Sequence, residues 1–199
     1  MYRHIFKRLI DVLLTIIGIP IFVVIFVIVA PIIILEDKGP VFYNAPRLGK
    51  NGKVFTMYKF RSMKVNAPDI RNSDGSTFNA KDDPRMTRIG RFLRNSSLDE
   101  VPQMINVLKG DMSVIGPRPD LPEHYDLYNG DEKRKLEIRP GITGYSQAYY
   151  RNEIPWRERI QCDIYYIDNM TMLFDLKILF KTVISVLSSK SVYVQQQKD

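Results

Sequence analysis

The chain has 199 residues and a net charge of +7, from 29 Lys and Arg against 22 Asp and Glu, with one Cys and two His. A single cysteine, Cys162, excludes an internal disulfide and a Cys-x-x-Cys zinc site, and His4 and His124 alone argue against a histidine-rich metal centre. Any metal is therefore hard and oxygen-ligated, and the dispersed basic residues, without a helix-turn-helix, zinc-finger or RNA-binding signature, turn the positive balance away from nucleic acid and toward a membrane surface or phosphate-bearing substrates.

The first element is apolar. Val12 to Leu35 carries no charged residue, and as a helix it would be about 36 Å long, against roughly 30 Å for a bilayer core. It is too long, and lacks the small-residue cleavage site, for a signal peptide. Pro20 removes one helical hydrogen bond and its ring clashes with the Ile16 carbonyl, so a break is expected there; an ordinary kink in a spanning helix is the alternative. Arg3, Lys7 and Arg8 precede the segment, and Lys38, Arg47, Lys50 and Lys53 follow it. Positive charge marks the cytoplasmic side of a membrane segment, and here it marks both ends. The division this gives is a membrane-embedded helix, residues 1–37, and a globular part, residues 38–199.

Pro40 to Asn44 and Val54 to Phe60 flank Gly49-Lys50-Asn51-Gly52 and predict a β-hairpin. Lys64 to Pro84 is polar and reads as a long loop centred on Asn72 to Gly75, and Arg85 to Arg94 as a basic helix. Ser97 and Glu100 have the spacing of a capping box, which predicts a helix start just before Asp99, with Pro102 tolerated near that start. Met112 to Ile115 reads as a short buried strand, Leu121 to Glu137 as helical pieces, Ile142 to Ala148 as extended, and Pro155 to Met170 as a helix. Leu173 to Leu187 is amphipathic: Lys177, Lys181, Ser185 and Ser188 form one polar stripe. Docking on the core and lying in a membrane interface both fit that pattern. The fold class expected is α+β, mostly helical: a small domain with a short β-hairpin on the membrane helix, with amphipathic interfacial helices.

The chemistry concentrates in residues 96–120. Asp99 and Glu100 are adjacent carboxylates at a predicted helix start, where acids also serve simply to complement the helix dipole. Adjacent acids suit a reaction in which one carboxylate attacks phosphorus while its neighbour helps hold a divalent cation. Arg118 lies between Pro117 and Pro119, which fix the direction of a fork-shaped donor suited to phosphate. Lys59 and Arg94 are candidate phosphate contacts, Asp111 a candidate stabiliser of the strand turn, and Gly141 and Gly144 suit a backbone that needs positive φ or close approach to a ligand.

Five motifs in order resemble the bacterial sugar transferase family, the small monotopic phosphoglycosyl transferases. They are Tyr58-Lys59-Phe60-Arg61-Ser62-Met63, Leu98-Asp99-Glu100, Lys109-Gly110-Asp111-Met112-Ser113, Gly116-Pro117-Arg118-Pro119 and Arg139-Pro140-Gly141-Ile142-Thr143-Gly144. The resemblance implies that Asp99 attacks the sugar-bearing phosphate of a UDP-sugar and releases UMP, and that undecaprenyl phosphate then takes the phosphosugar from the covalent intermediate. Glu100 would bind the cation or manage the proton, with Mg2+, or Mn2+ in its place, held by Asp99 and Glu100. Lys59, Arg94 and Arg118 would contact phosphate, and Arg139, Gly141, Thr143 and Gln147 would shape the nucleotide and sugar pocket. The re-entrant helix, bent at Pro20 with both ends on the cytoplasmic face of a bacterial inner membrane, also follows from it. So does an N-acetylated amino sugar donor, in the first membrane step of a surface glycan or glycoprotein, ahead of downstream glycosyltransferases. The rivals are the same chemistry on UDP-glucose or UDP-galactose, and a non-catalytic membrane-anchored scaffold. Tyr149 and Tyr150 depart from the family, which has a small residue before its Arg-Asn pair.

Overall fold

The computed structural model describes residues 2–70, 78, 80, 82–151 and 153–188; the predicted loop centre, Asn72 to Gly75, lies outside them. A short π-helical turn, Tyr2–Phe6, leads into α1, Lys7–Asp37. This helix is long and apolar enough to cross a membrane. The interruption expected at Pro20 is absent: helical conformation continues through both Pro20 and Pro31. A proline in a long apolar helix costs a hydrogen bond and bends the axis, but the turns on either side keep their own bonds, so the helix need not end.

One stripe of α1 faces the domain along its length. Lys7, Asp11, Thr15, Val29, Ala30 and Ile33 are buried, while Leu13, Ile17, Ile21, Val24, Val27 and Ile28 are exposed. Near its start, Asp11 accepts hydrogen bonds from Ser113 Oγ (2.8 Å) and the Val114 amide (3.0 Å), and Lys7 pairs with Asp175 at 2.8 Å. Midway, Phe22 and Phe26 meet Phe60 with ring centroids 6.4 Å apart. At its end, Asp37 accepts from Arg61 (2.6 Å), and Glu36 accepts from the Arg88 and Ile89 amides (2.6 and 3.1 Å). Both ends are tied to the same domain.

The predicted hairpin is present, with β1 (Phe42–Leu48) antiparallel to β2 (Val54–Phe60) and Phe42 opposite Phe60. Its turn puts Asn51 and Gly52 at φ 58° and 76°, the left-handed conformations that Asn and Gly tolerate best. Helix α2 (Arg88–Asn95) starts where the Thr87 side chain accepts from the Gly90 amide at 3.0 Å. The capping box predicted at Ser97 and Glu100 does not form. Ser97 is left-handed at φ 58° with no side-chain cap, Leu98–Glu100 is a single 3₁₀ turn, and α3 (Gln103–Lys109) begins after Pro102. A serine turned into the left-handed region cannot aim its hydroxyl along the following helix, and the Glu100 carboxylate is engaged elsewhere.

Strand β3 (Ser113–Ile115) pairs in parallel with β4 (Gly141–Thr143), Ser113 opposite Gly141 and Ile115 opposite Thr143. Between them lie two 3₁₀ segments, Pro122–Leu127 and Gly130–Glu137, the predicted helical pieces. The stretch expected to be extended through Ala148 stops at Thr143 and becomes helix α4 (Tyr145–Tyr149). Ser146 and Ala148 are buried there while Tyr149 is exposed, and the stretch is too short for its helical spacing to stand out in sequence. Helices α5 (Trp156–Asp168) and α6 (Met172–Leu187) follow. Ile115, Ile138, Ala148, Tyr166, Ile167 and Ile178 form one core; Val29, Ile33, Phe60 and Leu93 form another where α1 meets the hairpin. In α6, Ile178 is fully buried against the core, as the docking reading expects, while Leu173, Leu176, Phe180, Val183 and Leu187 are exposed. The molecule is mostly helical with two short sheets.

Candidate active site

The left-handed turn at Ser97 redirects the chain between α2 and α3. Leu98 then packs on the Phe60 and Leu93 core, which sets the next two residues beside strand β2. Asp99 is buried. Its carboxylate has no hydrogen-bond partner among the described residues. Lys59, on β2, donates to Glu100 Oε1 at 2.5 Å. Arg118 approaches the same oxygen, its guanidinium nitrogen 3.8 Å away.

Adjacent acids in one environment are pushed in opposite directions. Burial raises the Asp99 carboxyl to about 6; Lys59 opposes the rise and the charge on Glu100 reinforces it. Burial would raise Glu100 too, but the ammonium of Lys59 and the guanidinium of Arg118 outweigh it and hold Glu100 near about 2. Arg94, on α2, acts electrostatically on both acids. The result is a carboxylate locked to its cations beside one that is desolvated and unpartnered. A desolvated, weakly solvated carboxylate is a better nucleophile than one in water, and the cations around it suit an anionic substrate.

Backbone contacts fix Arg118. The Gly116 amide donates to Thr143 O at 2.9 Å, the Gly141 amide to Pro117 O at 2.9 Å, and the Leu48 amide to Asp120 O at 2.9 Å. The segment that carries Arg118 is therefore bonded to β4 on one side and to β1 on the other.

Of the predicted site residues, Lys59 and Arg118 both reach Glu100, and Asp99 and Arg94 share their field. The others engage the protein itself. Arg139 Nε donates to Gly110 O (2.7 Å), Thr143 Oγ1 meets Thr182 Oγ1 (2.8 Å), and Gln147 Nε2 donates to Ile142 O (3.1 Å). The reason offered for the two glycines needs correction: neither has positive φ. Their close approach is to protein backbone, since a Cβ on Gly141 would lie 2.1 Å from Gly116 N, and one on Gly144 2.1 Å from Gly116 O. Asp111 accepts from Asn106 Nδ2 at 3.3 Å, beside the turn it was expected to stabilise. Two features escaped the sequence reading. Ser97 is left-handed, with no glycine to signal it, and Arg151 (φ 49°) lies within electrostatic reach of Glu100 while donating to Ser185 O on α6 at 2.6 Å.

Among the described residues no group of three or more His, Cys, Asp and Glu side chains comes together to hold a metal. The described residues thus form no protein cage for an ion, but their donor set fits magnesium or manganese in another way. Such ions take one or two carboxylate oxygens and complete their shell from substrate phosphates and water, and the unpartnered Asp99 offers that oxygen.

The fold and this acid-cation cluster define a domain with a long apolar N-terminal helix and cations gathered beside a buried carboxylate. The chain belongs to the bacterial sugar transferase family, whose model matches residues 2–189. It is 42% identical over 188 residues to EpsL, an uncharacterized sugar transferase of Bacillus subtilis, covering 94% of this chain and 90% of that one. It is 39% identical over 188 residues to the undecaprenyl-phosphate galactose phosphotransferase of Salmonella typhimurium, covering 86% of this chain and 40% of that one. It is 38% identical over 188 residues to the UDP-N-acetylgalactosamine-undecaprenyl-phosphate N-acetylgalactosaminephosphotransferase of Aeromonas hydrophila, covering 92% of this chain and 44% of that one. The chain therefore spans less than half the length of these two phosphotransferases.

Proposed function

We propose that this protein transfers a sugar phosphate from a UDP-sugar to undecaprenyl phosphate through a covalent intermediate on Asp99. The observation that carries the reading is the split pair: Asp99 buried and unpartnered, Glu100 tied to Lys59 at 2.5 Å with Arg118 alongside. In the first step an Asp99 carboxylate oxygen bonds to the sugar-bearing phosphorus, the phosphoanhydride bond breaks, and UMP leaves with the electron pair. In the second step an oxygen of undecaprenyl phosphate attacks the same phosphorus and expels the Asp99 carboxylate, giving undecaprenyl-diphosphate-sugar. Lys59, Arg94 and Arg118 bind the phosphates, and Arg118 neutralises charge as the leaving phosphate departs. Glu100 holds the Lys59 ammonium in place at 2.5 Å, so that it faces the substrate phosphates. Magnesium on Asp99 and the diphosphate would offset the charge that otherwise repels an anionic nucleophile. A scaffold would have no use for a desolvated carboxylate without a partner, so the enzyme reading is preferred.

The donor is read as an N-acetylated amino sugar, in line with the name of the Aeromonas relative. Galactose is the second reading, supported equally by the name of the Salmonella relative. The domain faces the cytoplasm from the inner membrane, where UDP-sugars are available, and its lipid product passes to glycosyltransferases that extend a surface glycan. Incubating the purified full chain with undecaprenyl phosphate, Mg2+ and in turn UDP-N-acetylgalactosamine, UDP-galactose and UDP-glucose tests this by release of UMP. One donor is expected to dominate. Absence of UMP with all three would refute the proposal.

A further inference from the structure

Beside the cation cluster lies a second charged group that the reaction does not use. Asp120 follows the Pro117-Arg118-Pro119 run directly. Its Oδ2 accepts from Lys135 Nζ at 2.6 Å and from Tyr128 OH at 2.7 Å, and its Oδ1 from Trp156 Nε1 at 3.2 Å. Lys135, 3% exposed, reaches on to Asp163 at 3.1 Å, and Asp163, 1% exposed, accepts from Ser146 Oγ at 3.0 Å. Asp163 and Lys135 are thus buried, with Asp120 nearly so, at a distance from Asp99 and Glu100 along the chain. Burying such a triad is costly unless its geometry is well made, and replacing it with apolar residues is often stabilising. What the triad does that apolar packing would not is hold one particular residue, Asp120, in direction as well as position.

That residue is the far anchor of the Arg118 segment. The near anchor is the Gly141 amide on Pro117 O, and between the two anchors lie only Arg118 and a proline with fixed φ. We infer that Asp120 is a positioning residue for Arg118: clamped by Lys135, Tyr128 and Trp156, it sets the guanidinium where it meets the diphosphate. The inference rests on the phosphate-binding role given to Arg118 above.

A double-mutant cycle on UDP binding separates positioning from general stability, since two residues acting through one contact are not additive. The full chain in detergent, with Mg2+, is titrated with UDP as wild type, Asp120→Asn, Arg118→Gln and the double variant, and each is melted. Asp120→Asn keeps the shape but turns an amide toward its donors. The expectation is that it weakens UDP binding about 10-fold, Arg118→Gln about 30-fold, and the double variant no more than about twofold beyond Arg118→Gln alone. A double variant weakened by the product of the two factors overturns the inference, as does an Asp120→Asn protein that melts lower yet binds UDP like wild type. If Arg118→Gln itself binds UDP normally, the role of Arg118 falls and this inference with it; an impaired Arg118→Gln with an additive cycle removes the inference alone. Should Asp120→Asn fail to fold, Tyr128→Phe carries the same cycle by deleting one of the three donors. Its expected loss of about 3-fold should vanish in the Arg118→Gln background, and persistence there overturns the inference.

Discussion

Asp99 is placed at odds with the stability of the fold. Its carboxyl, raised to about 6 by burial, must ionise in a desolvated position at neutral pH, whereas in the unfolded chain it titrates near its ordinary value of 3.8. The folded protein therefore binds the proton more tightly than the unfolded one. The penalty is absent below about pH 4, develops as pH rises through the interval up to about 6, and is complete above it. Asp99→Asn removes the ionisable group and should stabilise the protein at pH 8 by about 1 to 3 kcal/mol, with the gain fading as pH falls to 4. Thermal melts of both proteins across that range measure it, and an equal difference at both ends would be inconsistent with a strained, ionised Asp99. The same substitution should abolish transfer, because an amide keeps the shape but is no nucleophile. Near-wild-type release of UMP by Asp99→Asn would end the covalent mechanism. For the wild type, kcat/KM should rise with pH through about 6 as the nucleophile ionises. If magnesium offsets the diphosphate charge as proposed, chelation with EDTA should stop turnover and added Mg2+ restore it.

At the scale of elements, the parallel pair β3–β4 connects the Arg118 segment to the rest of the domain, and its closeness is set by small residues. A Cβ on Gly144 would sit 2.1 Å from Gly116 O, a backbone atom that cannot rotate away. Gly144→Ala should cost about 1 to 3 kcal/mol or more and lower UDP affinity as well, because the displaced strand carries Gly116 toward Arg118. A melt unchanged within a few tenths of a degree would contradict this packing. Nothing local in the sequence announces the β3–β4 pairing, because the partners Ser113 and Gly141 are 28 positions apart and each strand has three residues. The hairpin was legible, because Asn51-Gly52 marks its turn and aromatic residues flank it, and so were α5 and α6, whose apolar spacing is helical over three turns or more. Ser97 was not, because a left-handed serine has no sequence signature and Glu100 three residues later imitates a capping box. At the site, the motifs named Lys59, Glu100 and Arg118, and the fold brings both cations to Glu100. The motifs gave no direction to Arg139, Thr143 or Gln147, whose described bonds are to the protein's own atoms, and no hint of the Lys135 triad, whose members are 15 and 28 residues apart.

For the molecule as a whole, the proposed function asks how a 31-residue apolar helix could sit in a membrane while its domain reaches cytosolic nucleotide sugars. A straight helix of that length reaches about 46 Å, enough to span. A spanning helix would carry one of its ends away from the domain, yet here Asp11 holds Ser113 and Val114 near one end while Asp37 holds Arg61 at the other. Between them Thr15, Phe22, Phe26, Val29 and Ile33 continue the buried stripe. Releasing either end would leave Asp11 or Asp37 without its partners, a cost of several kcal/mol for the buried Asp11. Basic residues at both ends add the charge rule to the packing. We therefore propose a re-entrant topology, with Arg3 and Lys38 on the cytoplasmic side and the continuous helix bent at Pro20 without ending there. In a Cys162→Ala background, cysteines introduced singly at Arg3 and at Lys38 should resist an impermeant thiol reagent in intact cells and react after lysis. Pro20→Ala restores a hydrogen bond to Ile16 O, favours a straighter helix, and should expose position 3 to the outside in a fraction of molecules. Labelling of position 3 from outside with Pro20 in place would show that the helix spans and that Pro20 is only a bend within it.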